Sequence, residues 1–167
     1  MRPEKNSDVS TCASLGDDYN HHGGNGVLRL IIPANDRSVR RGLQTIKSSM
    51  SNLSLSQDDW STVELVIAEV LNNIVKHAYS ASDTGLIEAH LNYSKETLDC
   101  TIIDTGHSMP NGEIPKGAQI DLTCDIADLP EGGFGWLLIH QLTRELNYAR
   151  RANQNTLSFR LPFATEH

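Results

Sequence analysis

The chain has 167 residues, of which 38% are apolar and 21% charged, with a formal net charge of −7. That length suits one soluble domain with a sizeable core, and the acidic balance argues against nucleic acid as the main partner. No apolar run approaches the roughly 20 residues that cross a bilayer. Cys12, Cys100 and Cys124 are scattered without a C-x-x-C pair, which argues against a disulfide framework or a zinc site and for a reducing, cytoplasmic setting.

Residues 1–25 are polar and Gly-rich and lack a signal-peptide core, so they read as a disordered leader. His21 and His22 fall within it as an isolated pair. "GVLRLIIPA", Gly26–Ala34, has the β-branched and Leu content of a strand. Asn35 or Asp36 then caps a helix whose apolar positions are Val39, Leu43, Ile46 and Met50. After a polar link, Ser56 and Asp59 resemble a capping box. A second helix follows with a stripe of Trp60, Val63, Ile67, Val70, Leu71, Ile74 and Ala78. "GLIEAHLNY" and "ETLDCTIID" alternate apolar and polar residues around "SKE", which predicts a β-hairpin. Residues 107–132 are weakly patterned, with a short helical turn predicted near Leu122–Ala127; a connection of this length is usually functional or mobile. "GGFGWLLIHQLTREL" predicts a third helix, "NYARR" and "TLSFRLPF" a closing hairpin, and residues 164–167 a short tail. The order implies an α+β fold, with helices on one face of a mixed, mostly antiparallel sheet.

Three groups of residues could carry chemistry. In "AEVLNNIVKHAYS" (residues 68–80), Glu69, Asn73 and Lys76 fall within about 60° of one another on the helix, flanked by Asn72 and His77. The strip borders the apolar stripe, where a cleft could form. Asp104-Thr105-Gly106 closes a strand and could offer a carboxylate to a ligand amine. Gly132-Gly133-Phe134-Gly135 opens a helix, where free N–H groups and the helix dipole suit phosphate. No lysine follows these glycines and no strand precedes them, so neither a P-loop nor a Rossmann fingerprint applies. Singly, each group has an ordinary explanation: a solvated face, an Asx turn, a tight loop-to-helix join.

Taken in order, E-x-x-x-N, D-x-G and G-G-x-G resemble the GHKL (Bergerat-fold) ATPase superfamily over residues 26–163. The short length, "AEVLNNIVKHAY" and the ending "GGFGWLLIHQLTRELNYARRANQNTLSFRLP" look like its anti-sigma factor serine/threonine kinase group (RsbW/SpoIIAB-like). The resemblance implies a two-layer α/β sandwich that binds ATP and Mg²⁺, with residues 107–132 as the ATP lid. It implies Asn73 as the metal ligand and Glu69 as the general base. His77 would lie near phosphate, Asp104 would bind the adenine amino group and Gly106 would complete the adenine pocket. Gly133 and Gly135 would wrap the phosphates, and Thr156 would assist at the adenine end. The implied activity is phosphorylation of a STAS-domain anti-anti-sigma protein, alternating with capture of a sigma factor by a homodimer, without contact to nucleic acid or membrane.

Two departures stand out. Glu131 occupies a place where some members carry a basic residue, leaving Lys76 and Lys116 as alternative cations for the γ-phosphate. His107-Ser108-Met109-Pro110 also differs from the apolar-plus-Asp sequence common in the group. Two further readings follow: an ATP- or partner-binding regulator with little phosphotransfer, and a detached histidine-kinase-type catalytic domain.

Overall fold

The computed structural model describes residues 12–15, 25–80, 84–117 and 134–164. Among the described residues, six strands form one sheet in the order β1-β2-β3-β4-β6-β5. They are β1 (Cys12–Leu15), β2 (Gly26–Pro33), β3 (Leu86–Tyr93), β4 (Thr97–Asp104), β5 (Arg144–Arg151) and β6 (Gln154–Pro162). Helices α1 (Asp36–Ser49), α2 (Gln57–His77) and α3 (Phe134–Leu142) supply the second layer. Among the described residues, no helix is long and apolar enough to cross a membrane.

The starts of α1 and α2 follow from side-chain capping. Asn35 is extended and its Oδ1 accepts the Ser38 N–H at 2.9 Å. Ser56 accepts the Asp59 N–H at 3.1 Å, while its hydroxyl donates to the Asp59 carboxylate at 2.7 Å. The carboxylate therefore answers the capping hydroxyl itself, a variant of the reciprocal cap expected from the sequence. Its other oxygen accepts the Ala164 N–H at 3.1 Å and ties the chain's end to the start of α2.

The core lies between the layers. Leu28, Leu30 and Ile32 of β2, Ile87, Ala89 and Leu91 of β3, and Leu98, Cys100 and Ile102 of β4 all point at the helices and are buried. So do Leu157, Phe159 and Leu161 of β6. Against them α2 buries Val63, Val66, Ile67, Val70, Leu71 and Ile74. The strict alternation on each strand fixes which face every side chain occupies. In this way the sheet aims Asp104, the last residue of β4, into the same interior as Ile102.

The structure corrects three expectations. Cys12–Leu15, inside the leader read as disordered, forms an edge strand antiparallel to β2, with Cys12 opposite Ile31. The described sheet is antiparallel throughout rather than mixed. From β2 the chain goes out along α1 and returns along α2, so β3 starts where β2 ended, with Pro33 opposite Leu86. The third helix stops at Leu142 instead of continuing through "TREL". The Thr143 hydroxyl donates to the Ile139 carbonyl at 2.6 Å, and Glu145 takes φ 54° where the β5–β6 register shifts. A bulge thus starts β5 where local propensity favours helix. In the connection after β4, a 3-10 turn occupies Pro110–Gly112; the turn predicted near Leu122–Ala127 lies outside the described residues.

Candidate functional site

A cavity of about 380 Å³ opens between the C-terminal half of α2, the end of β4, the start of β6 and α3. That volume is in the range of small-molecule sites. Asn73, Ile74 and His77 of α2 form one wall, Asp104 and Asn155 the base, and Met109, Trp136 and Tyr148 much of the rest.

Glu69 and Asn73 meet α3 at its first turn. A Cβ on Gly135 would collide with Glu69 Oε2 and sit 3.6 Å from Asn73 Nδ2. A Cβ at 135 would therefore push the flexible end of Glu69 aside. Among the described residues, Asn73 Nδ2 is buried without a hydrogen-bond partner. A buried amide with unused capacity is costly unless something else engages it. No group of three or more His, Cys, Asp or Glu side chains among the described residues could cage a metal. An amide N–H cannot ligate a cation, so the orphaned Nδ2 calls for an acceptor such as a phosphate oxygen. The Asn73 Oδ1 would be the atom open to Mg²⁺, which keeps several waters and takes one or two protein oxygens beside substrate phosphates.

Asp104 is 5% exposed. Its Oδ1 accepts the Gly106 N–H at 2.8 Å, the Asx turn that the motif suggests locally. The same oxygen accepts from Asn155 Nδ2 at 2.8 Å. Burial pushes the Asp104 carboxyl up from its ordinary value, opposed by hydrogen bonds from Asn155 and Gly106 and by the charge of Arg150. Turn and cavity wall are thus two uses of one carboxylate.

The remaining expected residues divide. His77 is exposed and lines the cavity. Gly106 lies outside the cavity wall: a Cβ there would collide with the Ala78 carbonyl, and the next residue, His107, donates its N–H to that carbonyl at 2.7 Å. Its small size serves the packing of this loop on the end of α2. Thr156 faces the other side of the sheet, opposite Ile103 and Ala149, because the two-residue period of β6 sends its neighbour Asn155 into the cavity instead. Gly133, like Gly132 and Glu131, lies outside the described residues. Lys76 and Lys116 are exposed.

Sequence reasoning missed Asn155, Tyr148 and Trp136. A signal for the first was present: stepping back from Leu161, Phe159 and Leu157 along the buried face of β6 arrives at Asn155. A lone amide on an apolar strand face needs partners.

Residues 32–161 match the family described as "Histidine kinase-like ATPase domain". The chain belongs to this family. Its similarity extends to the serine-protein kinase RsbW of Halalkalibacterium halodurans, 28% identical over 116 residues that span 69% of this chain and 70% of that protein. The RsbW of Bacillus cereus (strain Q1) is 28% identical over 120 residues, spanning 71% of this chain and 74% of that one. In fold, the chain resembles the crystal structure of the RsbU and RsbW domains of a Mycobacterium tuberculosis protein, with a TM-score of 0.55 at 14% identity. That likeness covers 84% of this chain and 33% of the other. As a histidine kinase-like ATPase domain, the chain is of the GHKL type, and the relatives it matches are named serine-protein kinases.

Proposed function

We propose that the protein binds ATP with Mg²⁺ and phosphorylates a serine or threonine of a STAS-domain anti-anti-sigma protein, and that it also sequesters a sigma factor. One observation carries this reading. The Asn73 Nδ2, unpartnered among the described residues, sits with Glu69 against Gly135, beside a cavity whose base is the Asp104 carboxylate.

In this reading Asp104 accepts a hydrogen bond from the adenine amino group, and Asn73 offers its amide oxygen to the metal. His77 stands near the phosphates, and Gly133 and Gly135 wrap them at the helix start. The metal supplies positive charge to the phosphate oxygens. Glu69, one helical turn before Asn73, takes the proton of the attacking hydroxyl as its oxygen bonds to the γ-phosphorus and the bond to the ADP oxygen breaks. Positioning and charge, rather than covalent chemistry by the protein, account for the rate.

The test uses γ-labelled ATP, Mg²⁺ and candidate STAS-domain proteins from the same organism. Acid-stable label on the STAS protein, lost with Glu69→Ala, is the expected result. Absence of nucleotide binding overturns the reading. Acid-labile label indicates histidine phosphorylation, and binding without transfer indicates a regulator. A sigma factor partner is expected to co-elute with the protein in size-exclusion chromatography, and light scattering is expected to give the mass of a homodimer.

A further inference from the structure

The base of the cavity holds a cluster that the role of Asp104 alone does not explain. Asn155, 5% exposed, uses both ends of its amide. Its Nδ2 faces only acceptors: Asp104 Oδ1 at 2.8 Å, the His107 carbonyl at 2.9 Å and the Gly106 carbonyl at 3.3 Å. Its Oδ1 faces only donors: the Tyr148 hydroxyl at 2.7 Å and Arg150 Nη1 at 2.5 Å. A guanidinium has no acceptor and a carbonyl has no donor, so the amide has one workable orientation. Tyr148, having given its proton to Asn155, accepts the Met109 N–H at 3.1 Å. Arg150 also donates to the Gly106 carbonyl at 2.9 Å. The β5–β6 hairpin supplies these groups by register, with Arg150 opposite Asn155 and Tyr148 two residues earlier on the same face.

The consequence falls on Asp104. Its Oδ1 is occupied by Asn155 and the Gly106 N–H, while its Oδ2 receives no hydrogen bond from any described residue. We propose that Asn155, held by Tyr148 and Arg150, is a positioning residue that presents the free oxygen of Asp104 to the cavity and so sets a preference for adenine over guanine. Adenine carries an amino donor at its six-position, whereas guanine carries a carbonyl there, which would oppose the carboxylate. Selectivity of this kind comes from leaving a buried polar group unpaired by the wrong ligand. The inference rests on the proposed binding of ATP.

The full chain and its Asn155→Ala, Asn155→Asp and Tyr148→Phe variants are checked by thermal melting, then titrated with ATP and with GTP in the presence of Mg²⁺. Wild type is expected to favour ATP. Asn155→Ala should narrow that preference by about tenfold, the effect of losing a hydrogen bond to a charged group. Asn155→Asp keeps the shape but turns an oxygen toward Asp104, and should narrow it at least as much. Tyr148→Phe should narrow it by about threefold, a typical single neutral hydrogen bond. A folded Asn155→Asp variant with the wild-type ATP-to-GTP ratio overturns the inference while leaving ATP binding intact, as does a wild type that binds both nucleotides equally. If neither Asn155 variant folds, an unchanged ratio in Tyr148→Phe overturns it. A wild type that binds neither nucleotide overturns the proposed function, and the inference with it.

Discussion

Glu69 and Asn73 were readable because a helix fixes the relation of residues four apart whatever surrounds it. Their proposed roles separate under substitution. Glu69→Gln is expected to reduce phosphotransfer by about 10²- to 10⁴-fold, the usual worth of a general base, with ATP affinity little changed in a direct binding titration. Asn73→Ala should instead abolish the gain in nucleotide affinity that Mg²⁺ confers. Asp104 gives a pH signature. Its carboxyl is raised by burial, so the fold favours its protonated form; the ionised acceptor is lost as pH falls through that raised value. ATP affinity, measured by isothermal titration, should therefore weaken on acidification before ordinary surface carboxylates titrate. The same shift means that ionising Asp104 costs stability, a cost absent below its unfolded pKa and complete above the folded one. Asn155 was harder to read, because its partners lie on β4, β5 and the following loop, and only strand pairing brings them together.

Among the elements, α2 anchors the site: its apolar stripe packs on the sheet and its polar edge borders the cavity. Ser56→Ala removes its N-terminal cap and is expected to cost about 1 kcal/mol in denaturant unfolding. Gly135→Ala tests the contact between α2 and α3. Alanine is the better helix former, so the melting temperature should hold or rise. Its Cβ, however, displaces the Glu69 carboxylate, so phosphotransfer should fall. The β5–β6 turn carries strain of its own, since Ala152 has φ 50°; Ala152→Gly should stabilise the fold by about 1 kcal/mol. The boundary between α3 and β5 was the least legible. "TREL" has helical propensity, and only the bulge at Glu145 and pairing with β6 make it a strand.

Across the whole molecule, the face of the sheet away from the helices carries ion pairs rather than core. Glu88 on β3 meets His90 at 2.5 Å and Arg29 of β2 at 2.5 Å. The hydrogen bond from His90, then Arg29, holds the Glu88 carboxyl below its usual value despite some burial. A lowered carboxylate contributes stability that is present above its unfolded pKa and lost as pH falls through the folded one. Glu88→Gln should accordingly flatten the acid limb of a stability-versus-pH curve from urea melts. At this scale the sequence determined the layers: strand and helix periods mark which side of each element must leave water, and burial then follows. It also determined the pairing of Glu69 with Asn73 and the turn at Asp104, since both are local. Tertiary structure alone decided that β1 joins the edge, that every strand pairing is antiparallel, and that Asn155 rather than Thr156 faces the cavity. Those outcomes depend on register between distant segments, and a shift of one residue reverses every face.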